Sequence, residues 1–175
     1  GLLMRNKQYK TRTTHSYHHF HKYPNIVREL VPQKACELIV SDITYIWIKE
    51  IENFAYLFLI TDVYSRKIIG YCISDTLKAK SAVKALRMAL KQIKVTEECI
   101  HHSDRGSQYC SSQYVSVLKK QNIKISMTEN GDPLENAIAE RINGIIKGEY
   151  LFDYRITSIA HAKEVLKAVV KLYNE

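Results

Sequence analysis

Hydrophobic and polar positions change period several times along this chain, and the changes mark its elements. Apolar and β-branched residues dominate positions 38–48, 54–60 and 68–73, with a polar turn, Lys49-Glu50-Ile51-Glu52-Asn53, after the first run. Runs of this length and composition predict three strands in antiparallel succession. Ala82, Val83, Leu86, Ala89, Leu90 and Ile93 then recur at helical spacing, which predicts an amphipathic helix over 78–94 able to cover one face of that sheet. Short apolar runs at 99–102 and 123–126 flank a helical stretch at 111–121. The order is β-β-β-α-β-α-β-α, an alternating α/β pattern. A last helix at 158–173 carries Ile159, Ala162, Val165, Leu166, Val169 and Leu172 on one side.

The helix that follows residue 131 has a legible start: Asp132 as N-cap, Pro133 at the first helical position and Glu135 three after the cap. Glu135 thus has a structural role. Glu140 lies in the helix interior on the stripe Asn136, Glu140, Asn143, Lys147, opposite Leu134, Ile138, Ile142 and Ile145, so it is free to project toward a site. Gly144 and Gly148 weaken this helix and suggest close approach of backbone to another segment or to a ligand.

Composition narrows the class. With 175 residues, 46% of them hydrophobic, the chain can bury one ordinary core, read as residues 35–175, preceded by an extended basic arm at 1–34 with one short helical turn near 25–30. No apolar run approaches the roughly 20 residues that span a bilayer, and no signal peptide is visible, so a soluble cytoplasmic protein is expected. Cys36, Cys72, Cys99 and Cys110 form no Cys-x-x-Cys pair and read as reduced and structural. The net charge is +8, and +6 of it falls in residues 1–34, where Arg5, Lys7, Lys10, Arg12, Lys22, Arg28 and Lys34 face one acid, Glu29. A basic arm on a nearly neutral body suits phosphate contact, although a solvated charged tail has the same composition.

Three acids then stand out: Asp42 inside an apolar strand, Asp104 just past one, and Glu140 in a helix with 35 residues between it and Asp104. A carboxylate pointing off an apolar strand is costly unless something compensates, and a bound cation is the usual compensation. Phosphodiester cleavage needs an activated oxygen nucleophile and a stabilised leaving oxygen, which paired Mg²⁺ ions supply with carboxylate ligands. Asp42 would bridge two ions, with Asp104 on one and Glu140 on the other. Taken singly, Asp104 reads as a turn residue and Glu140 as a solvated helix residue; their conjunction favours a site. Asp62, after the second strand, is the chief rival ligand, with a turn or an ion pair near Arg66 as its other reading; Asp132 and Glu149 rank lower. Zinc is disfavoured, because the arm histidines His15, His18, His19 and His21 have no cysteine pair to complete a closed site. His101 and His102 read as partly buried structural residues.

Four stretches, SDITYIW (41–47), DVYSRKIIGY (62–71), HHSDRGSQY (101–109) and NAIAERINGIIKGE (136–149), resemble the catalytic core of DDE-type insertion-sequence transposases, in the retroviral-integrase superfamily. The resemblance covers nearly the whole domain. It implies a ribonuclease H-like α/β fold: a mixed five-stranded sheet, the first three strands antiparallel, with helices on both faces. It implies the triad Asp42, Asp104 and Glu140 as catalytic metal ligands, two Mg²⁺ ions (Mn²⁺ substituting) held weakly without DNA, and a basic residue near donor DNA at Lys147. Asn136, Arg105, Arg12 and Lys22 are further candidate DNA contacts.

Arg141-Ile142 replaces the family's frequent Ser-Phe, and Ser41 precedes the first aspartate; neither touches the chemistry. The helix-turn-helix segment that such transposases usually carry, and the basic stretch beyond Tyr-Asn, are not in this sequence. It therefore reads as an excised core, Gly1 being an added residue, with weak sequence-specific end binding expected. The expected function is metal-dependent DNA strand cleavage and 3′-hydroxyl strand transfer moving an insertion element, with element ends and target DNA as partners and self-association on DNA. The rivals are a structure-selective nuclease of the same fold and a catalytically silent DNA-binding or assembly module.

Overall fold

The computed structural model describes residues 18–129, 136–151 and 154–175. Five strands form one sheet in the order β3-β2-β1-β4-β5. Strands β1 (Leu38–Ile48), β2 (Asn53–Asp62) and β3 (Ile68–Ser74) are an antiparallel meander, whereas β4 (Ile100–Ser103) and β5 (Lys124–Met127) join β1 in parallel. The parallel strands need crossovers. Helix α1 (Ala79–Gln92) provides the first, and α2 (Ser107–Cys110) with α3 (Ser112–Lys120) the second.

The period-2 alternation of β1 sorts its side chains between two cores. Ile39 joins Phe58, Ile60, Leu86, Ala89, Tyr114 and Leu118 beneath α1 and α3. Ile46 and Ile48 join Leu57, Leu59, Ile142, Ile146, Leu166 and Val169 beneath α4 (Ala137–Ile145) and α5 (Ile159–Asn174). Helices therefore cover both faces, as expected. Helix α1 packs directly on Gly70 of β3, where a Cβ would lie 2.3 Å from the Ala85 carbonyl oxygen.

Three differences from the expected elements have physical reasons. The four-residue helix α2 is too short to show a periodicity of its own. The Glu140 helix changes at Ile146 into a π-helical turn, Ile146–Tyr150, closed by the Leu151 amide on the Ile146 carbonyl at 2.9 Å. Gly148 sits inside this turn, and a Cβ on it or on Gly144 would meet nothing within 4 Å, so the expected close approach to another segment is not found among the described residues. The cap expected at Asp132, Pro133 and Glu135 lies outside the described residues; α4 itself begins at Ala137, which puts Glu140 in its first turn and not in a helix interior. Finally, the residues from His18 to Lys34 run extended but are pinned to the sheet's β5 side. The Pro24 carbonyl accepts from Met127 N at 3.3 Å, Ile26 N donates to Ser126 Oγ at 3.1 Å, and Arg28 pairs with Glu129 at 3.4 Å. The expected helical turn is a single tight turn, Leu30 N to the Val27 carbonyl. Among the described residues, no helix is long and apolar enough to cross a membrane, and the four cysteines are unpaired.

Candidate active site

The pairing of β1 with β4 ends at Ser41 opposite Ser103. The next residues on the two parallel strands are Asp42 and Asp104. Both carboxylates thus stand where adjacent parallel strands end their pairing, the place at which open α/β sheets carry their sites. Ser41 faces the α1 side and is fully buried, so the alternation of β1 turns Asp42 toward α4.

Asp42 is the electrostatic centre. Burial pushes its carboxyl up to about 7, and the neighbouring charges of Asp104 and, more weakly, Glu140 act in the same direction. The Ile43 amide and the Asn143 side chain pull the other way. Asn143 Nδ2 donates to Asp42 Oδ2 at 2.7 Å. This orientation of the amide is dictated by chemistry, since the flipped form would set its oxygen against a carboxylate.

Asp104 is shaped by its own loop: Gly106 N donates to its Oδ1 at 2.9 Å. A Cβ on Gly106 would lie 2.9 Å from that oxygen and 3.0 Å from Gln108 Oε1, so any larger residue would press on the carboxylate. Glu140 is exposed on α4, three residues before Asn143. The structure brings Asp42 and Asp104 into one neighbourhood, with Glu140 at its edge. It does not close the three into a ligand cluster: no group of three or more His, Cys, Asp or Glu among the described residues is arranged to hold a metal ion. The donor chemistry nevertheless fits a hard divalent cation, because all three groups offer carboxylate oxygens and Asp42 carries a costly charge that a cation would relieve.

The stripe Asn136, Glu140, Asn143, Lys147 divides. Glu140 and Lys147 are exposed, but Asn136 and Asn143 are buried together with Ala139, Ile142 and Ile146. The reason lies under the helix: β1 presents the Ser41 carbonyl, which receives Asn136 Nδ2 at 3.4 Å, and the Asp42 carboxylate, which receives Asn143. Asn136, a candidate DNA contact in sequence, is therefore packed inward at 6% exposure. Lys22 is exposed on the N-terminal strap, Arg105 is half-buried with its carbonyl facing His18 Nε2 at 2.9 Å, and Arg12 lies outside the described residues.

Asp62 serves the fold. Buried at the end of β2, it accepts from Cys36 N at 2.9 Å and from Ser65 N at 3.1 Å, and Arg66 approaches it through backbone rather than as an ion pair. His101 and His102 are more deeply buried than expected. His101 Nε2 lies 2.7 Å from Ser41 Oγ and 2.8 Å from the Tyr114 hydroxyl, and burial pushes its pKa down to about 3, so the ring is neutral. His102 Nδ1 meets Ser126 Oγ at 2.8 Å. The functional roles not read from sequence are those of Asn143 and Gly106. For Asn143 the signal was its place one turn after Glu140, but periodicity cannot tell a polar residue facing solvent from one facing a buried carboxylate.

Comparison with known proteins agrees with this architecture. An integrase core domain model matches residues 32–133, and a second integrase core domain model matches residues 121–175. The chain is 32% identical over 173 residues to an uncharacterised 31 kDa protein of insertion element IS600 from Shigella sonnei, covering 98% of this chain and 63% of that protein. It is 36% identical over 135 residues to the transposase InsF of insertion sequence IS3A from Escherichia coli K12, covering 77% of this chain and 45% of that protein. The chain thus spans about half to under two thirds of the length of these relatives. Among solved structures, the HTLV-2 integrase catalytic core domain in complex with magnesium, in a dimeric form, superposes with a TM-score of 0.60 at 17% identity, over 78% of this chain and 84% of that one. A chain of the simian T-cell lymphotropic virus intasome in complex with PP2A regulatory subunit B56 gamma gives 0.66 at 18% identity, over 86% of this chain and 50% of that one. The five-stranded mixed sheet is the ribonuclease H-like fold of those cores, and the chain belongs to the integrase core domain family.

Proposed function

We propose that this chain is the catalytic core of a transposase that cuts DNA strands at the ends of an insertion element and joins the resulting 3′-hydroxyls to target DNA. The observation that carries the reading is Asp42, a carboxylate set among apolar strand residues, beside Asp104 and held by the Asn143 amide. Asp42, Asp104 and Glu140 are the residues that would hold divalent cations, Mg²⁺ or Mn²⁺. Such ions supply activation of the attacking oxygen and stabilisation of the leaving one. The remaining work belongs to the chain: Asn143 fixes the rotamer of Asp42, the Gly106 amide fixes Asp104, and neutral His101 braces the β1–β4 junction from the opposite face. Positioning of this kind keeps the reacting groups aligned at no reorganisation cost.

Lys147, Arg105, Lys22 and Arg12 are proposed phosphate contacts, with the residues before 35 acting as a basic arm and residues 35–175 as the core. Association of copies on paired DNA ends completes the proposal. The test is strand transfer with pre-cleaved, labelled ends in Mn²⁺ or Mg²⁺, comparing the protein with its Glu140→Gln form. Joined products that vanish in the variant support the reading. Cutting without joining would point instead to a nuclease of the same fold.

A further inference from the structure

Strand β1 runs to Ile48, but its pairing with β4 stops at Ser41, so its last seven residues have a strand neighbour on the β2 side only among the described residues. Beside that part of β1 lies a groove of about 520 Å³. Its polar lining is Lys49, Lys147 and Arg155, and its aromatic lining is Tyr45, Trp47 and Tyr154; no described acid lines it. All three cations are exposed, and none forms an ion pair among the described residues.

Trp47 and Tyr154 are each 49% exposed, a large apolar area to leave in water without a partner. Trp47 is braced by an edge-to-face contact with Phe54 at 5.1 Å, and Tyr45 by similar contacts with Phe54 at 5.9 Å and Tyr56 at 5.2 Å. Braced rings give up little freedom on binding. Cations interleaved with exposed aromatic rings are the chemistry that holds unpaired nucleotides, bases on the rings and phosphates on the cations. A volume in the range of small-molecule pockets admits about one or two nucleotides and not a duplex. At about 3.3 Å per residue, Tyr45 and Trp47 lie roughly 10 and 17 Å along the strand from Asp42, on the opposite face of β1 by its alternation, so the groove is reached from Asp42 around the unpaired edge of the strand.

We propose that this groove binds unpaired DNA, stacking bases on Trp47 and Tyr154 and holding phosphates with Lys49, Lys147 and Arg155, and so guides a frayed single strand leading away from Asp42. The origin of that strand rests on the transposase reading; the binding chemistry does not.

Trp47 is the only tryptophan in the chain, so its emission reports on the groove directly. The experiment titrates the protein with oligo-dT in EDTA, following Trp47 fluorescence and, in parallel, the anisotropy of a labelled oligonucleotide. Quenching that weakens with salt, exceeds that caused by a blunt duplex of equal length, and needs about ten-fold more oligonucleotide in Tyr154→Ala or in Lys49→Ala/Arg155→Ala is the expected result. Unchanged melting of these surface variants guards against misfolding. An unmoved Trp47 at concentrations where anisotropy reports binding overturns the proposal. So does equal affinity in the variants, equal quenching by duplex, or a Trp47 shift that follows protein self-association and not DNA. Strand transfer is scored separately: activity without quenching sinks the groove alone, while quenching without activity leaves the groove and removes the transposase reading.

Discussion

Asn143, on the inner face of α4, donates its amide to Asp42 Oδ2 at 2.7 Å, fastening a helix to the carboxylate at the centre of the sheet. The contact couples the position of α4, and with it Glu140, to the rotamer of Asp42. It also lowers the Asp42 pKa against the upward push of burial.

Replacing Asn143 by Ala therefore removes a positioning contact and leaves Asp42 harder to ionise. A hydrogen bond to a charged group contributes about 1.5–3 kcal/mol, so strand transfer should fall roughly 10- to 100-fold. The alkaline shift of the pH–rate profile is the diagnostic readout, since simple loss of folded protein would lower the rate without moving the profile.

The raised pKa of Asp42 also has a stability consequence. A carboxyl whose folded pKa is about 7, against about 4 when unfolded, keeps its proton in the native state where the unfolded chain has lost it. That contribution is complete below about pH 4 and is lost as pH rises through 7, with an upper bound of roughly 4 kcal/mol. In EDTA, Asp42→Asn should melt several degrees above the unsubstituted protein at pH 8 and match it near pH 4. Mg²⁺ should narrow the gap at pH 8 by stabilising only the carboxylate form. Identical melting curves at pH 8 in EDTA would show that Asp42 ionises freely.

His101 acts in the opposite direction. With its pKa pushed down to about 3 by burial, the folded protein binds one proton fewer than the unfolded chain between about pH 3 and 6.5, so this residue makes stability rise with pH across that window. Its ring signals should not titrate between pH 5 and 8 by NMR. Tyr114→Phe, which deletes the hydroxyl 2.8 Å from His101 Nε2, should cost about 1 kcal/mol in urea denaturation, because Ser41 Oγ remains as a partner.

Two glycines separate packing from chemistry. Gly70→Ala drives a methyl into the Ala85 carbonyl and Ala89 of α1, and should destabilise the protein by about 1–3 kcal/mol or more. Gly106→Ala presses on Asp104 Oδ1 and the flexible end of Gln108, so its main effect should fall on activity, with melting nearly unchanged. Parallel denaturation and strand-transfer assays distinguish the two.

The sequence by itself determined the elements and their order. A run of apolar and β-branched residues placed β1 from Leu38 to Ile48, helical spacing placed α1 and α5, and strand context singled out Asp42, because each signal is local and is written in adjacent side chains. Tertiary structure decided which polar residues turn inward. Asn136 and Asn143 lie on the same stripe as Glu140 and Lys147, and only the docking of α4 over the Ser41 carbonyl and the Asp42 carboxylate separates the buried pair from the exposed one. The same holds for the buried His101–Ser41–Tyr114 cluster, whose members are 60 and 73 residues from Ser41 in sequence. A hydrogen bond across such distances depends on where two elements pack, and that placement is fixed by the summed burial of both cores and not by any local pattern.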